Sequence, residues 1–353
     1  MSATRITLGE LEAGENDAIV FEAIKSAFGT PDSLGIIAIQ LPSDHVYHAQ
    51  RKHLLELAPR IASLPAEVKA SLEHPQSNYS FGWSHGKEIM ESGPDTGKGS
   101  YYAQINPRAP SELTAEFTAK YPSYGYPNVW PAAQQLGGES LEHAFLGLGR
   151  TMADIGVVLA RRLDAYLKAK TLGRSDVASF SGALSSPTNC HKGRLLYYFP
   201  QTEAESDAVA AAWCGLHLDH SMLTVLTRAI TDPSVLDPAD KSGLYIQLPS
   251  DTQSQNLTNA GNKKDQSVKD EPRFVRVAIP EDCVAIQIGE AATYASNGLL
   301  RATPHLVKGS SRSNVARSTF ACFLQPDSEF DLGAGKTFGA FSEEILALHY
   351  EQQ

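Results

Sequence analysis

The sequence has few cysteines and no paired cysteine motif. Its 4 cysteines are Cys190, Cys214, Cys283 and Cys322, and none of them falls in a CxxC or zinc-finger spacing. We therefore expect free, mostly buried thiols rather than a disulfide framework or a structural zinc site. Free thiols are typical of a reducing compartment, so we expect a cytoplasmic protein.

Long apolar runs and an excess of positive charge are also missing. No segment approaches the ~18 consecutive apolar residues of a membrane-spanning helix, and residues 1–5 lack the apolar core of a signal peptide. The 30 lysines and arginines are outnumbered by 40 aspartates and glutamates, which leaves a net charge of -10. A broad nucleic-acid interface needs a basic face to meet the phosphates. We therefore expect neither a membrane nor a nucleic acid as a partner.

Two kinds of hydrophobic pattern divide the chain. Apolar residues at helical spacing predict helices over 16–28, 48–64, 65–72 and, most strongly, 137–172, with a buried strand at 35–39. From position 194 onward, about eight short apolar or alternating runs are separated by turn residues and predict strands. These runs are 195–199, 213–218, 223–229, 243–247, 275–278, 283–288, 299–307 and 317–324.

These patterns predict a mixed α/β protein with a mainly β core, and eight strands is the number found in a jelly roll. We expect residues 1–353 to form a single compact unit. Within it, 1–190 is a helical or mixed N-terminal region and 191–330 is the jelly-roll core, interrupted by a polar insert at 250–269. Residues 331–353 are expected to form a C-terminal helical tail.

A metal-binding pattern occurs in the predicted β core. On a strand, His217 and Asp219 project from the same face, so that an imidazole and a carboxylate can take adjacent positions on one metal. His305 follows 88 residues after His217, and a jelly roll can bring the two strands together. Two histidines and one carboxylate form a facial triad that favours non-heme Fe(II). Its open positions can hold a bidentate co-substrate and O₂.

An arginine at the start of the last predicted strand completes the constellation. Arg317 lies 12 residues after His305 and shares a strand face with Thr319. A guanidinium buried in a β core is costly without an anionic partner. A dicarboxylate co-substrate would supply that partner, because the guanidinium fork fits one carboxylate and the Thr319 hydroxyl can donate to the same group. The alternatives are a surface arginine at a strand end and a fixed internal ion pair.

Taken together, the HxD, distal His and RxT motifs resemble those of the Fe(II)- and 2-oxoglutarate-dependent dioxygenases, in the isopenicillin N synthase-like branch. The resemblance spans most of the chain and is strongest from 194 to 324. Segments that carry it are 35–39, 128–131, 195–200, 215–226, 288–290 and 296–298. It implies a double-stranded β-helix, or jelly roll, with flanking helices.

The resemblance also implies residue roles and a reaction. His217, Asp219 and His305 would bind iron, Arg317 and Thr319 would hold the distal carboxylate of 2-oxoglutarate, and Tyr197 is a candidate for a further hydrogen bond to it. With O₂, such an enzyme oxidises a small-molecule substrate, by hydroxylation in the commonest case, and releases succinate and CO₂. Desaturation and ring closure are variants within the family.

Three departures from the family pattern are visible in the sequence. Thr319 stands where the family usually has serine, and it keeps the hydroxyl. The loop 309–312 lengthens the spacing from His305 to Arg317 and makes Arg312 a rival anchor. Phe199 stands where the family often has a tyrosine before the proline.

Substrate-binding residues are expected in two places. The segment around Tyr79, Phe81, Trp83 and His85 concentrates aromatic and polar groups in a non-periodic loop, and loops often carry binding function. Its alternative role is structural, as a loop packed by its own aromatic side chains. Lys192 and Arg194, at the tyrosine-rich strand, are further candidates for the pocket.

Other functions fit parts of the same pattern. An oxidase of this fold would not use 2-oxoglutarate, and its Arg317 would bind part of the substrate. A non-catalytic binding protein would keep the fold without the reaction, and a zinc-binding cupin-like protein or isomerase is a weaker option. We expect the protein itself to be a monomer or weak dimer.

Overall fold

The computed structural model describes residues 3–14, 18–30, 32–90, 93–172, 177–201, 212–233, 241–248, 273–310, 312–333 and 335–350. The predicted polar insert at 250–269 lies outside these ranges. The α-helices of the described ranges are α1 (Leu8–Glu12), α2 (Ala18–Phe28), α3 (Tyr47–Ala62), α4 (Ala66–Ser71), α5 (Ala115–Lys120), α6 (Leu141–Lys170), α7 (Phe180–Leu184), α8 (Glu290–Ala295) and α9 (Phe338–Tyr350).

The strands in the N-terminal part are β1 (Thr4–Thr7), β2 (Ile36–Gln40), β3 (Gly82–His85), β4 (Ile89–Met90), β5 (Gly93–Pro94) and β6 (Lys98–Gln104). Those that follow are β7 (Lys192–Tyr198), β8 (Ala212–His217), β9 (Leu223–Thr227), β10 (Ile230–Asp232), β11 (Gly243–Leu248), β12 (Arg273–Val277), β13 (Cys283–Ile288), β14 (His305–Lys308) and β15 (Ala316–Leu324).

Two sheets form the β core. The larger sheet has the order β1-β2-β13-β9-β15-β7-β6-β3, with β10 paired to β15. The smaller sheet has the order β12-β11-β14-β8. Strands that are not consecutive along the chain are neighbours in both sheets: β9 lies between β13 and β15, and β14 lies between β11 and β8. Such non-sequential pairing is what a jelly roll built from two Greek keys requires. The predicted mixed α/β class with a β core and flanking helices is confirmed.

The long helix α6 packs on the outer face of the larger sheet. Ser140 begins it by accepting a hydrogen bond from the His143 N–H. Phe145 is fully buried and meets Phe320 of β15 edge to face, with ring centroids 4.9 Å apart. At Gly156 an added Cβ would lie 2.2 Å from Leu324, so the missing side chain lets the helix approach β15 closely. This contact holds the sheet that carries the cavity described below.

One predicted strand is shorter than expected. The run 299–307 was expected to be extended throughout, but only His305–Lys308 pairs as β14. Pro304 has no N–H to donate to a neighbouring strand, and Gly298 adopts a positive φ of 80° in the turn that precedes the segment. The shortening places His305 at the beginning of its strand.

The cysteine side chains lie inside the protein. Cys190, Cys214, Cys283 and Cys322 are all free and buried. Among the helices of the described ranges, none combines the length and the apolar character that crossing a bilayer would require.

Candidate active site

Three potential metal ligands converge between the two sheets. His217 is the last residue of β8, His305 is the first residue of β14, and Asp219 follows β8 by two positions. The Asp219 carboxylate lies 3.8 Å from His217 Nε2 and 3.7 Å from His305 Nε2. One ligand atom from each residue lies within 4.8 Å of the other two. The structure therefore brings the three predicted ligands into a single cluster.

Backbone contacts orient both imidazoles toward Asp219. His217 Nδ1 lies 2.8 Å from the Gly215 carbonyl oxygen, and His305 Nδ1 lies 3.2 Å from the Thr303 carbonyl oxygen. A carbonyl accepts an N–H, so each Nδ1 carries a proton and each Nε2 is the nitrogen that faces Asp219 and is available to a metal. This second contact is the usual one for a metal-binding histidine. The donor set of two imidazole nitrogens and one carboxylate fits Fe(II).

The charges of the cluster suit a cation. Burial, together with the neighbouring His217, lowers the pKa of His305 to about 4. Burial opposes the ionisation of Asp219, but the two imidazoles outweigh it and hold the pKa of the carboxyl below its usual range. Burial also lowers the pKa of His217, whereas Cys214 and Asp219 raise it, to about 9. A bound cation would displace the proton from His217.

A cavity of about 200 Å³ opens beside this cluster. Its floor is formed by side chains on one face of β7, β15 and β9, arranged in rows by the strand pairing. The rows are Tyr198 with Arg317, Leu196 with Thr319, Arg194 with Ala321 and Leu226, and Lys192 with Phe323 and Thr224. The cavity therefore extends from Arg317 at one end to Lys192 at the other.

Arg317 lies at the cavity wall with incomplete hydrogen bonding. Its guanidinium carbon is 5.0 Å from the centre of the Tyr198 ring. Its Nη1 is buried and has no hydrogen-bond partner within the described part of the chain. Burial lowers the pKa of Arg317, which means that its charge is poorly compensated there. An unpaired guanidinium nitrogen in a cavity fits the carboxylate of a co-substrate.

Thr319 lines the same cavity on the same strand face. Its hydroxyl lies 3.3 Å from the Thr227 hydroxyl and 3.3 Å from the Thr227 carbonyl oxygen. These contacts are long, so the hydroxyl can turn to an incoming acceptor at little cost. The structure therefore places both residues of the RxT motif at the cavity.

Tyr197 points away from the cavity. Successive strand residues face opposite sides of a sheet, and Tyr197 packs against Phe199 with ring centroids 5.2 Å apart. Tyr198 lines the cavity instead. Burial raises the pKa of Tyr198 to about 12, although Arg317 opposes the rise. The position expected for Tyr197 beside Arg317 is therefore taken by Tyr198.

The aromatic loop contributes less to the cavity than its composition indicates. Three of these residues, Tyr79, Trp83 and His85, do not line the cavity, whereas Ser80 of the same loop does. Trp83 is buried, and His85 Nε2 contacts the Thr96 carbonyl at 2.9 Å. Phe81 is buried beneath Lys192, with the ammonium 4.9 Å from the ring centre. Lys192 and Arg194 both line the cavity.

A buried charge network around Glu88 was missed by the sequence analysis. Arg194 donates to Glu88 Oε1 at 2.6 Å, and the Tyr102 hydroxyl donates to the same oxygen at 2.7 Å. Lys98 contacts Glu88 at 3.5 Å and also pairs with Asp95. Glu88 belongs to a loop and Arg194 to a strand, so no local pattern connects them. Ile345 and Leu346 of α9, which also line the cavity, were missed for the same reason.

Comparisons with known proteins establish the fold. No family model matches the chain, and a search of curated proteins found no match. Among solved structures, the chain is similar to T7H of Neurospora crassa in complex with alpha-KG and thymine, with a TM-score of 0.67, 16% identity and coverage of 98% of this chain and 96% of that chain.

Two further solved structures have the same architecture. JOX2 in complex with 2OG, Fe and JA has a TM-score of 0.64, 16% identity and coverage of 98% of this chain and 85% of that chain. The dioxygenase for auxin oxidation in rice has a TM-score of 0.56, 16% identity and coverage of 98% and 95%. The chain thus has the double-stranded β-helix fold of the 2OG-Fe(II) oxygenases.

Proposed function

We propose that this protein is a non-heme Fe(II), 2-oxoglutarate-dependent oxygenase that hydroxylates a small-molecule substrate. The observation that carries the proposal is one cavity holding both the His217, Asp219 and His305 cluster and the unpaired Arg317 Nη1. A metal ligand set and an anchor for a carboxylate are the two parts that a chelating keto acid requires. The shared fold with oxygenases that bind 2OG supports the same function.

The chain's residues would divide the work of binding. His217, Asp219 and His305 would hold Fe(II), with the carbonyl contacts to Nδ1 keeping each imidazole in place. The bound iron supplies the oxidative chemistry: one substrate C–H bond, 2-oxoglutarate and O₂ give an alcohol, succinate and CO₂. The protein excludes water and positions the reactants, and none of its side chains needs to act as a strong base.

The co-substrate anchor is assigned to Arg317, Thr319 and Tyr198. Arg317 would present its guanidinium fork to the distal carboxylate, and Thr319 would donate its hydroxyl to the same group. Tyr198 rather than Tyr197 would orient the guanidinium, because only Tyr198 faces it. The rest of the cavity, including Lys192 and Arg194, would receive the substrate.

Finer points of this assignment belong to the same proposal. The HxD, distal His and RxT motifs support the isopenicillin N synthase-like branch. T7H is solved with thymine and JOX2 with JA, which supports a small-molecule substrate here. The free cysteines favour a cytoplasmic location. We further propose that residues 1–353 act as one unit, as a monomer or weak dimer.

Anaerobic loading tests the function. Protein mixed with Fe(II) and then 2-oxoglutarate should develop the visible absorbance of a keto acid chelated to iron, and exposure to O₂ should release succinate. His217→Ala should abolish both signals, whereas His143→Ala, an exposed histidine on α6, should retain them. Fe(II) binding without any 2-oxoglutarate signal would favour the oxidase. Absence of Fe(II) binding in the wild-type protein would favour a non-catalytic protein.

A further inference from the structure

The end of the cavity opposite Arg317 carries a second buried cation. Lys192 is 6% exposed, lines the cavity and begins β7, where it pairs with Phe323. Arg317 pairs with Tyr198 at the other end of β7. Lys192 and Tyr198 are six positions apart along β7, a backbone distance of about 20 Å. The carboxylate of a small diacid that is bound to Arg317 is therefore too far from Lys192 to contact it as well.

The metal-ligand cluster lies on the Lys192 side of Arg317. Thr224, in the Lys192 row, hydrogen bonds through its side chain to Asp219. Tyr198, in the Arg317 row, packs instead on Trp213 of β8, with ring centroids 5.2 Å apart. A co-substrate that joins Arg317 to the cluster would leave the Lys192 end open to another molecule.

The charge of Lys192 has no close acidic partner. Its Nζ donates to the Ser123 carbonyl oxygen at 2.6 Å and lies 4.7 Å from the centre of the Tyr124 ring. No carboxylate lies within 4.0 Å of it among the described residues. Glu343, whose negative charge favours the charged form of Lys192, accepts hydrogen bonds from the Ser123 N–H and hydroxyl. An ammonium has three donors, so Lys192 can bind a further acceptor.

A second polar group at this end is only partly hydrogen-bonded. Gln325 is 1% exposed and lines the cavity, two residues beyond Phe323. Its Oε1 is buried and has no hydrogen-bond partner within the described ranges, while its Nε2 lies 3.3 Å from His220 Nε2. Half a turn of the amide would give His220 an acceptor and direct an N–H into the cavity. Such a turn is favourable when an anion is present to accept that N–H.

The walls around these polar groups are apolar. Ile345 and Leu346 of α9 line the cavity, and Ser342 of the same helix contacts the Tyr124 hydroxyl at 2.7 Å. This contact fixes α9 over the Lys192 end. An occupant must therefore combine one anionic group with an apolar body.

We propose that Lys192 anchors the carboxylate of a small organic acid with an apolar body, with Gln325 as a second hydrogen-bond donor. The assignment of this acid as the substrate rests on the proposed oxygenase function, but the binding site itself does not. The site selects for negative charge because an uncharged amide cannot offset the buried ammonium.

Matched pairs of acids and primary amides test the site by calorimetry. The probes are hexanoate, phenylacetate and 4-phenylbutyrate, each with its amide, titrated anaerobically into protein with Fe(II) and 2-oxoglutarate and into metal-free protein. At least one acid should bind tenfold or more tightly than its amide. Lys192→Met should remove that preference, and Lys192→Arg should restore part of it. Lys120→Met, an exposed lysine of α5 paired with Glu329, should keep it.

Each contrary outcome has its own meaning. If no acid binds more tightly than its amide to the wild-type protein, the anion site is wrong, and this test does not depend on any variant folding. A preference that survives in Lys192→Met also overturns it. Succinate release from 2-oxoglutarate is measured in the same preparations. Its absence beside an intact acid preference would reject the oxygenase function and leave the anion site standing.

Discussion

His305 lies directly opposite His217 in the antiparallel pair of β14 and β8, and their ring centroids are 4.3 Å apart. The register of this pair shifts just after His305. An irregularity of this kind bends a strand and redirects its side chains. Here it lies beside the point where both imidazoles turn toward Asp219.

Removal of the Asp219 carboxylate should weaken metal binding. Asp219→Ala deletes the only anionic member of the cluster, so we expect Fe(II) affinity to fall by at least the ~10- to 100-fold that loss of a supporting contact costs. Anaerobic titration with Fe(II), monitored by calorimetry, measures the change in affinity. Asp44→Asn, an exposed position, serves as the control. An affinity for Fe(II) equal to that of the wild type would remove Asp219 from the site.

Arg317 and its rival Arg312 can be separated by substitution. Arg317→Met removes a charged hydrogen bond worth about 1.5–3 kcal/mol, so 2-oxoglutarate should bind about 10- to 100-fold more weakly. Arg317→Lys should recover only part of this loss, because an ammonium lacks the bidentate fork. Arg312 is exposed and outside the cavity lining. The assignment fails if Arg312→Met weakens 2-oxoglutarate binding more than Arg317→Met does.

The two adjacent tyrosines should differ in their effect on co-substrate binding. Tyr198→Phe deletes a hydroxyl beside Arg317, and the loss of about 0.5–1.5 kcal/mol should weaken 2-oxoglutarate roughly two- to tenfold. Tyr197→Phe should leave the affinity unchanged because its ring faces away from the cavity. Dissociation constants of the two Fe(II)-loaded variants decide the point, and equal values would contradict it.

Glu88 should make stability depend on pH. Burial opposes its ionisation, but Arg194 and Lys98 outweigh it and hold the pKa of Glu88 far below its usual range. Because its pKa is lower in the folded state, ionised Glu88 stabilises the fold above the unfolded value of about 4.3, and this contribution is lost as pH falls toward the folded value. Breaking a buried pair costs about 3–5 kcal/mol, so Glu88→Gln should destabilise the protein at pH 7.

Urea unfolding at pH 7, 5 and 3 measures this effect. The wild-type free energy of unfolding should fall more steeply between pH 5 and pH 3 than that of Glu88→Gln. Glu116→Gln, an exposed glutamate of α5, should follow the wild-type curve. Parallel curves for the wild type and Glu88→Gln would show that the network is not a source of acid sensitivity.

Several features could be predicted from local pattern. The helical spacing over 137–172 predicts α6, and alternation in the second half predicts the strands of the β core. Strand alternation also places Arg317 and Thr319 on one face of β15, whereas Asp219 lies two residues beyond the end of β8 and is positioned by the chain after the strand. These predictions succeed because period and alternation depend on neighbours along the chain.

Other features depend on contacts between distant segments. Alternation alone states that Tyr197 and Tyr198 face opposite sides, but the pairing of β7 with β15 decides which side is the cavity. Glu88, Gln325 and the residues of α9 reach the cavity from separate elements, and no local pattern marks them.

The sequence by itself therefore determined the chemical groups, the strand faces and the fold class. Only the tertiary structure decided that Tyr198 accompanies Arg317, that Arg194 is neutralised by Glu88, and that Lys192 keeps an uncompensated charge. The physical reason is that the energy of a buried charge depends on which groups surround it. Those groups are brought together by strand pairing and helix packing across the whole chain.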